Sequence, residues 1–266
     1  MGHQVDLVEA ERSAWLELWY QPKIDARALV MRGAEGLLRV RHPSLGILPP
    51  KYFIGSDGDP RRRSVSEFVI RRAIDDWRLF FAEQGHVEIA INLPMAFLQD
   101  AKTVENLCQS LPDHPAFEGL IVEINGTDVV RNLGLAKDIA KTLRSCRIAI
   151  SLDDVGAEWT SLTGLSEFPF VEIKVDQSFV NGCAEDAVKQ SMCCQILELA
   201  NGYGARTVAE GVETWADFHA ARELGFDVLQ GFLFAKPATA GQFTRTCWSV
   251  ARHWPPSTRS FSRSLM

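Results

Sequence analysis

The sequence has no run approaching the roughly 20 uncharged apolar residues that a membrane-spanning helix needs, so no membrane segment is expected. Its six cysteines (Cys108, Cys146, Cys183, Cys193, Cys194 and Cys247) include no CxxC pair and no framework spacing. In a chain of 266 residues that pattern predicts reduced thiols of a cytoplasmic protein and disfavours a zinc site. The first residues, Met1 to Glu11, lack the basic-then-apolar order of a secretion signal. Positive charge is not in excess either. With 28 Lys and Arg against 34 Asp and Glu the net charge is -6, which argues against a basic surface coating DNA or RNA. A single nucleotide ligand stays open, because metal ions placed between an acidic pocket and a phosphate join the two. Internal repeats and long linkers are absent.

What remains is an ordinary globular composition, 46% apolar, in short β-type runs alternating with longer amphipathic stretches. Strands are expected at Glu17–Gln21, Val30–Arg39, Val87–Asn92, Leu120–Glu123, Arg147–Asp153, Phe170–Lys174, Ala205–Glu210 and Val228–Phe232. Helices are expected at Ser66–Gln84, Asp100–Leu111, Gly134–Ser145, Ala187–Gly202 and Thr214–Leu224. Met192, Ile196 and Leu199 recur at helical spacing and predict one buried face, with Asn201-Gly202 as a left-handed cap. The Arg61-Arg62-Arg63 run reads as a solvated loop. Eight strands with intervening helices predict an α/β fold, a closed TIM-type (β/α)8 barrel over 15–250. A lead at 1–14 and a frayed tail at 251–266 flank it. The helix-free turn near Asp25–Ala28 permits a hairpin, so one strand should run antiparallel.

Polar residues collect at the ends of these strands. Asn92, Glu123, Asp153, Asp154, Lys174 and Glu210 sit at or near C-terminal ends, with Gln230 late in the eighth strand and Glu35 inside the second. Barrel enzymes build their sites at that end. Each residue has a plainer reading: Asn92 capping a turn, the paired aspartates capping a loop, Lys174 facing outward, Glu210 and Glu213 as solvated loop charges, Gln230 satisfying a backbone group. Their convergence on one rim weakens all of these. Several carboxylates at one mouth repel strongly unless cations neutralise them, and an all-oxygen donor set favours Mg2+ or Mn2+ over Zn2+. Asp153-Asp154 would let one carboxylate bridge two ions, a pair suited to phosphoryl displacement.

Taken in order, the motifs resemble those of the EAL domains, bacterial phosphodiesterases that open cyclic di-GMP to linear pGpG. Over roughly Leu16 to Pro237 the chain reads Tyr20-Gln21-Pro22, Glu35-Gly36-Leu37-Leu38-Arg39, Asn92-Leu93, Val122-Glu123-Ile124 and Leu152-Asp153-Asp154. It continues with Ile173-Lys174-Val175-Asp176, Ala209-Glu210-Gly211-Val212-Glu213 and Gln230-Gly231-Phe232-Leu233-Phe234. The resemblance implies a modified barrel with one antiparallel strand and a two-metal site for Mg2+ or Mn2+, with Ca2+ inhibitory. Glu35, Asn92, Glu123, Asp153 and Asp154 would be ligands. Lys174 would contact the attacking water, Glu210 would orient it or act as base, and Glu213 and Gln230 would support this inner set. Arg39 would hold a substrate phosphate, and Gln21 and Asp176 would touch the nucleotide.

The chain departs from the family in one region. The signature triplet has Gly36 where the family has Ala. The loop after Asp154 reads Val155-Gly156-Ala157-Glu158 instead of the usual Phe-Gly-Thr-Gly. A second glutamate expected three residues after Glu123 is Gly126. In the family that glutamate helps hold this loop, which shapes the metal site and the dimer interface. The departures predict a complete inner set with low turnover, or control by a homodimer or a separate regulatory protein. The alternative is a receptor that binds cyclic di-GMP without cleaving it; retention of Lys174, Glu210 and both aspartates favours the enzyme. A diguanylate-cyclase signature is absent from the sequence, and a sensor domain is not visible in it.

Overall fold

The computed structural model describes residues 5–54, 61–85, 87–164 and 168–247. The chain opens with α1 (Leu7–Arg12), whose Leu7 and Ala10 are buried, and continues into β1 (Leu16–Asp25), β2 (Met31–His42) and a short β3 (Gly46–Leu48). Next come α2 (Arg61–Gln84), β4 (Glu88–Asn92), α3 (Met95–Leu98), α4 (Ala101–Ser110), β5 (Leu120–Asn125), α5 (Gly126–Arg131) and α6 (Leu133–Ser145). After β6 (Ile148–Val155) lie β7 (Glu172–Val175), α7 (Gln177–Val180), α8 (Ala187–Gly202), β8 (Arg206–Ala209), α9 (Trp215–Leu224), β9 (Val228–Leu229) and β10 (Ala238–Thr239).

Eight of these strands close into a mixed barrel. β2 and β4 to β9 follow one another in parallel, and β1 joins the two ends by pairing antiparallel with both β2 and β9. The hairpin inferred at Asp25–Ala28 is therefore the device that closes the ring. Helices pack outside it for ordinary amphipathic reasons. In α6 the buried residues Ala136, Ile139, Ala140 and Leu143 recur at three and four, one stripe facing the sheet. The cap of α9 is a Thr214 side chain accepting from Asp217 N, and Gly225 ends the helix at φ 99°, a left-handed turn that suits glycine.

Three sequence expectations are corrected. The arginine run opens α2 instead of forming a loop; Arg63 bonds Glu67, Asp100 and Thr103. The face of α8 centres on Cys193, Ile196 and Ala200, and its left-handed residue is Gly204, not Gly202, because the helix runs on to Tyr203 as its cap. The six cysteines are not all reduced thiols, since Cys108 and Cys146 form a disulfide. Packing of α4 beside α6 brings their Cα atoms to 5.3 Å across a sequence separation of 38, a proximity that spacing along the chain does not reveal. Cys183, Cys193 and Cys194 are free. The cytoplasmic expectation thereby loses its cysteine argument. No helix among the described residues is long and apolar enough to cross a membrane. The expected tail at 251–266 lies outside the described residues.

A cross-link closing a loop of that length removes roughly 3–4 kcal/mol of unfolded-state entropy. Cys108→Ser, or full reduction, should therefore lower the melting temperature by about 10 °C, as calorimetry with and without reductant will show.

Candidate active site

Side chains alternate across a strand, so each barrel strand sends every second residue inward. Here the inward set is polar. The cross-strand register aligns Asn92 with Glu123, Glu123 with Ser151, Ser151 with Glu172, and Glu172 with Arg206. Because barrel strands tilt, one register row runs from the mouth at β4 towards the opposite end at β8. The C-terminal half of this interior holds the candidate site.

A bulge places the paired aspartates. Leu152 pairs with Ile173 and Val155 with Val175, so Asp153 and Asp154 together oppose the single residue Lys174. The extra residue bends β6 and turns both carboxylates towards the mouth. Asp154 takes a left-handed conformation, φ 53°, which Asp tolerates better than most residues. Asn125 holds it: its Nδ2 donates to Asp154 Oδ2 at 3.2 Å while its Oδ1 caps α5 by accepting from Thr127 N at 3.0 Å. Sequence reading missed Asn125, although an Asn just ahead of a helix is a capping signal. Next to it, Gly126 is the first residue of α5; a Cβ there would lie 3.4 Å from Val155 Cγ2 and 3.6 Å from Asp153 O. This wall lies under the loop that follows Asp154. The side chains of Ala157 and Glu158 in that loop fall outside the described ones.

Lys174 is the hub. It is 1% exposed, and its Nζ lies 2.8 Å from Asp153 Oδ1, 2.8 Å from Glu210 Oε1, 3.0 Å from Glu123 Oε2 and 3.4 Å from Glu35 Oε1. Burial works against the ammonium, but these carboxylates outweigh it and hold its pKa well above the ordinary value. The carboxylates are less well served. Burial, then repulsion from Asp153 and Glu35, pushes Glu210 well above the usual range. Burial and the charge of Asp153 raise Asp154, and burial and Glu35 raise Glu123. Glu35 is also buried, yet Lys174 keeps it ionised and below its ordinary value.

The remaining candidates fall into two groups. Gln230 Nε2 donates to Glu35 Oε2 at 2.6 Å and to Gln21 Oε1 at 3.2 Å, and Gln21 Nε2 donates to Ala235 O, so both amides support the mouth. Asn92 donates to Glu35 and Glu123 at 2.8 and 3.2 Å. Arg39 lies four residues beyond Glu35 on the same face of β2 and is half-buried. One of its nitrogens donates to Leu38 O, and burial lowers its pKa. Asp176 spends its carboxylate capping α7 at Ser178 N, 2.7 Å. Glu213 is exposed, and no hydrogen bond ties it to the cluster among the described residues.

A cavity of about 490 Å³ opens beside the cluster, walled by Asn92, Glu123, Asp153 and Asp154 and by two residues not anticipated, Arg62 and Asp128. A larger one, about 580 Å³, lies at the opposite end of the barrel near Gly119 and Phe170. Of its two carboxylates, Glu88 and Glu118, the first is paired with Arg206, whereas the smaller cavity gathers Glu123, Asp153 and Asp154.

These residues fit divalent cations. Five carboxylates converge where Lys174 is the shared cation, three of them are raised by burial and mutual repulsion, and Asp153, Asp154 and Glu210 offer oxygens within 4.8 Å of one another. Hard oxygen donors with no histidine or cysteine in the set suit Mg2+ or Mn2+.

Residues 4–237 match the family model described as the EAL domain. The chain is 32% identical over 241 residues to the bifunctional diguanylate cyclase/cyclic di-GMP phosphodiesterase MucR of Pseudomonas aeruginosa, covering 89% of this chain and 35% of that protein. It thus spans about a third of the length of that relative. Among solved structures it resembles the MucR phosphodiesterase in complex with c-di-GMP, at TM-score 0.79 and 31% identity, covering 90% of this chain and 98% of that one. It also resembles a calcium and cyclic-di-GMP complex of BlrP1 from Klebsiella pneumoniae, at TM-score 0.74 and 26% identity, covering 85% of this chain and 57% of that one.

Proposed function

Since the chain belongs to the EAL domain family, we propose that its carboxylate mouth hydrolyses one phosphodiester of cyclic di-GMP, giving linear pGpG, with Mg2+ or Mn2+ bound. The observation that carries this reading is the surplus of buried carboxylates around one ammonium at the C-terminal end of the barrel. Glu35, Asn92, Glu123, Asp153 and Asp154 would hold the ions, which supply a nucleophilic water and screen the substrate phosphate. Asn92 now presents its amide nitrogen to two carboxylates, so ligation through its oxygen requires the amide to turn over.

The chain's own residues do the rest. Lys174, fixed by four carboxylates, stays protonated and donates to the attacking oxygen or to the charge that grows on the phosphate. Glu210, whose raised pKa marks it as the carboxylate most ready to take a proton, accepts one from the water. Gln230 and Gln21 orient Glu35. Arg39 uses one donor on Leu38 O, leaving the rest of its guanidinium for a phosphate. Glu213, exposed and outside the carboxylate cluster, is assigned a supporting role in the loop after β8.

Arg39→Ala should weaken cyclic di-GMP binding by about ten- to a hundredfold, the value of charged hydrogen bonds to a phosphate, while leaving cation affinity unchanged. Titration of cyclic di-GMP with Ca2+ present reads this directly, and equal affinity in the variant removes Arg39 from the site.

Turnover is proposed to be low, because among the described residues Asn125 is the one hydrogen-bond donor to the Asp154 side chain, on the side where the family places a glutamate. Gly126→Glu together with the usual Phe-Gly-Thr-Gly loop should raise kcat, and a rate no higher than that of the natural sequence contradicts this. Binding without product in the natural chain would instead identify a cyclic di-GMP receptor.

A further inference from the structure

Below the mouth, Lys23 occupies the barrel interior on β1 at 4% exposure. Its Nζ donates to Glu123 Oε1 at 2.8 Å and to Glu172 Oε1 at 2.7 Å. Glu172 is itself fully engaged: Ser151 Oγ donates to Oε1 at 3.0 Å and Arg206 Nε to Oε2 at 2.7 Å, while Arg206 continues to Glu88. Despite burial, Lys23 and Arg206 hold its pKa down to about 2, so it remains an anion that keeps Lys23 in place. A chain of ion pairs thus runs from Glu88 through Arg206, Glu172 and Lys23 to Glu123, and on to Lys174.

The consequence falls on Glu123. Its two oxygens do different work. Oε1 points down the barrel and is taken by Lys23; Oε2 points to the mouth, where it meets Lys174 at 3.0 Å and Asn92 Nδ2 at 3.2 Å. Chelation of one ion by both oxygens requires both to face it, and the ammonium below prevents that. Glu123 can give the mouth one oxygen only. That restriction discriminates between cations. Mg2+ accepts one oxygen per carboxylate in a tight octahedron at about 2.0–2.1 Å, whereas Ca2+ collects 6–8 oxygens at about 2.3–2.6 Å and gains from bidentate carboxylates.

We propose that Lys23 is a specificity-determining, positioning residue for the cation: by occupying Glu123 Oε1 it keeps the site monodentate and biases it towards Mg2+ and Mn2+ over Ca2+. The inference rests on the reading of the mouth as a divalent-cation site.

Two variants of the full chain separate geometry from charge. Lys23→Met removes the clamp and one positive charge; Lys23→Met/Glu172→Gln removes the clamp with no net change of charge and leaves no buried anion without a partner, which protects folding. Mg2+, Mn2+ and Ca2+ are titrated calorimetrically into chelator-stripped protein. Affinity for Ca2+ relative to Mg2+ is expected to rise about tenfold in both variants, the scale on which residues behind a metal ligand act. A uniform change for all three ions in the single variant, with the ratio in the double variant within about threefold of the natural protein, overturns the role of Lys23. Failure of the natural protein to bind any of the three ions overturns the metal reading itself.

Discussion

Lys174→Met should cut turnover of cyclic di-GMP by about a thousandfold, the range set by losing a charge-stabilising donor aimed at the reacting oxygens. The side chain cannot be replaced by its neighbours. Lys23, the nearest other interior ammonium, is committed to Glu123 and Glu172 on the far side of the cluster. With Lys174 gone, Asp153, Glu210, Glu123 and Glu35 face one another without their common counter-ion. Breaking a buried charge pair by removing one partner typically costs about 3–5 kcal/mol, so the metal-free variant should also melt well below the natural protein. Divalent cations should restore much of that stability and none of the rate, a division that separates the chemical role from a structural one. Lys174→Arg should not restore the rate, because a planar fork cannot point at four carboxylates arranged around a single nitrogen. Rates above about a tenth of the natural value in Lys174→Met would remove it from the chemistry.

Glu210→Gln should do two opposite things: abolish hydrolysis and raise the melting temperature of the metal-free protein. The reason is the direction of its pKa. Burial first, and the charges of Asp153 and Glu35 next, favour the protonated form of Glu210 in the folded state, against the pull of Lys174. An acid whose pKa rises on folding binds its proton more tightly when folded. Its contribution to stability is therefore fully present below the unfolded value and is lost as pH climbs through the raised folded value. Metal-free protein should lose stability as pH rises from the ordinary carboxylate range towards neutrality, and Glu210→Gln, which mimics the protonated acid, should flatten that slope. Asp154 and Glu123 are raised for related reasons and should add to the same slope. Saturating Mg2+ should cancel it. Melting curves in chelator at several pH values decide the matter: a variant less stable than the natural protein at neutral pH would mean that the pair with Lys174 outweighs the repulsion.

Much of this was readable before any coordinates. The alternation of strand and helix, the acidic strand ends and the short first hairpin give the barrel and its antiparallel strand, and the predicted strands and helices appear close to their expected bounds, while α1, β3, α3, α5, α7 and β10 were not expected. The candidate residues at strand ends were legible because a carboxylate closing an apolar strand is conspicuous. Three features were not. The bulge that turns both Asp153 and Asp154 to the mouth is a matter of register against Lys174, and register is a property of two strands, not one. Lys23 sits in Pro22-Lys23-Ile24, where a lysine reads as a surface residue until its partners on β5 and β7 are known. The disulfide joins two helices whose adjacency depends on how the barrel wraps. Asp176 was legible as a motif residue but not as a helix cap, the role in which one of its carboxylate oxygens accepts from Ser178 N at the start of α7. Glu213 lies outside the cluster that its position in the motif suggested.

The wall around Gly126 also rests on a single residue's side chain. Asn125 stands where two needs meet, capping α5 and holding Asp154, and it meets them with a single neutral amide. A hydrogen bond from an amide to a carboxylate is worth roughly 1.5–3 kcal/mol, but Asp154 receives it without the direct ammonium contact that Asp153 has from Lys174. On the proposed reading Asp154 would be the least firmly held of the metal ligands.

One titration tests whether a metal-dependent hydrolytic site lies at the mouth of this barrel. Cyclic di-GMP is titrated into the purified chain with Ca2+ and then with Mg2+ or Mn2+, and the products are separated by chromatography. Binding without product is expected under Ca2+, conversion to pGpG under Mg2+ or Mn2+, and loss of conversion on adding chelator. Conversion that survives the chelator, or no binding under any of these ions, would contradict a metal-dependent site there.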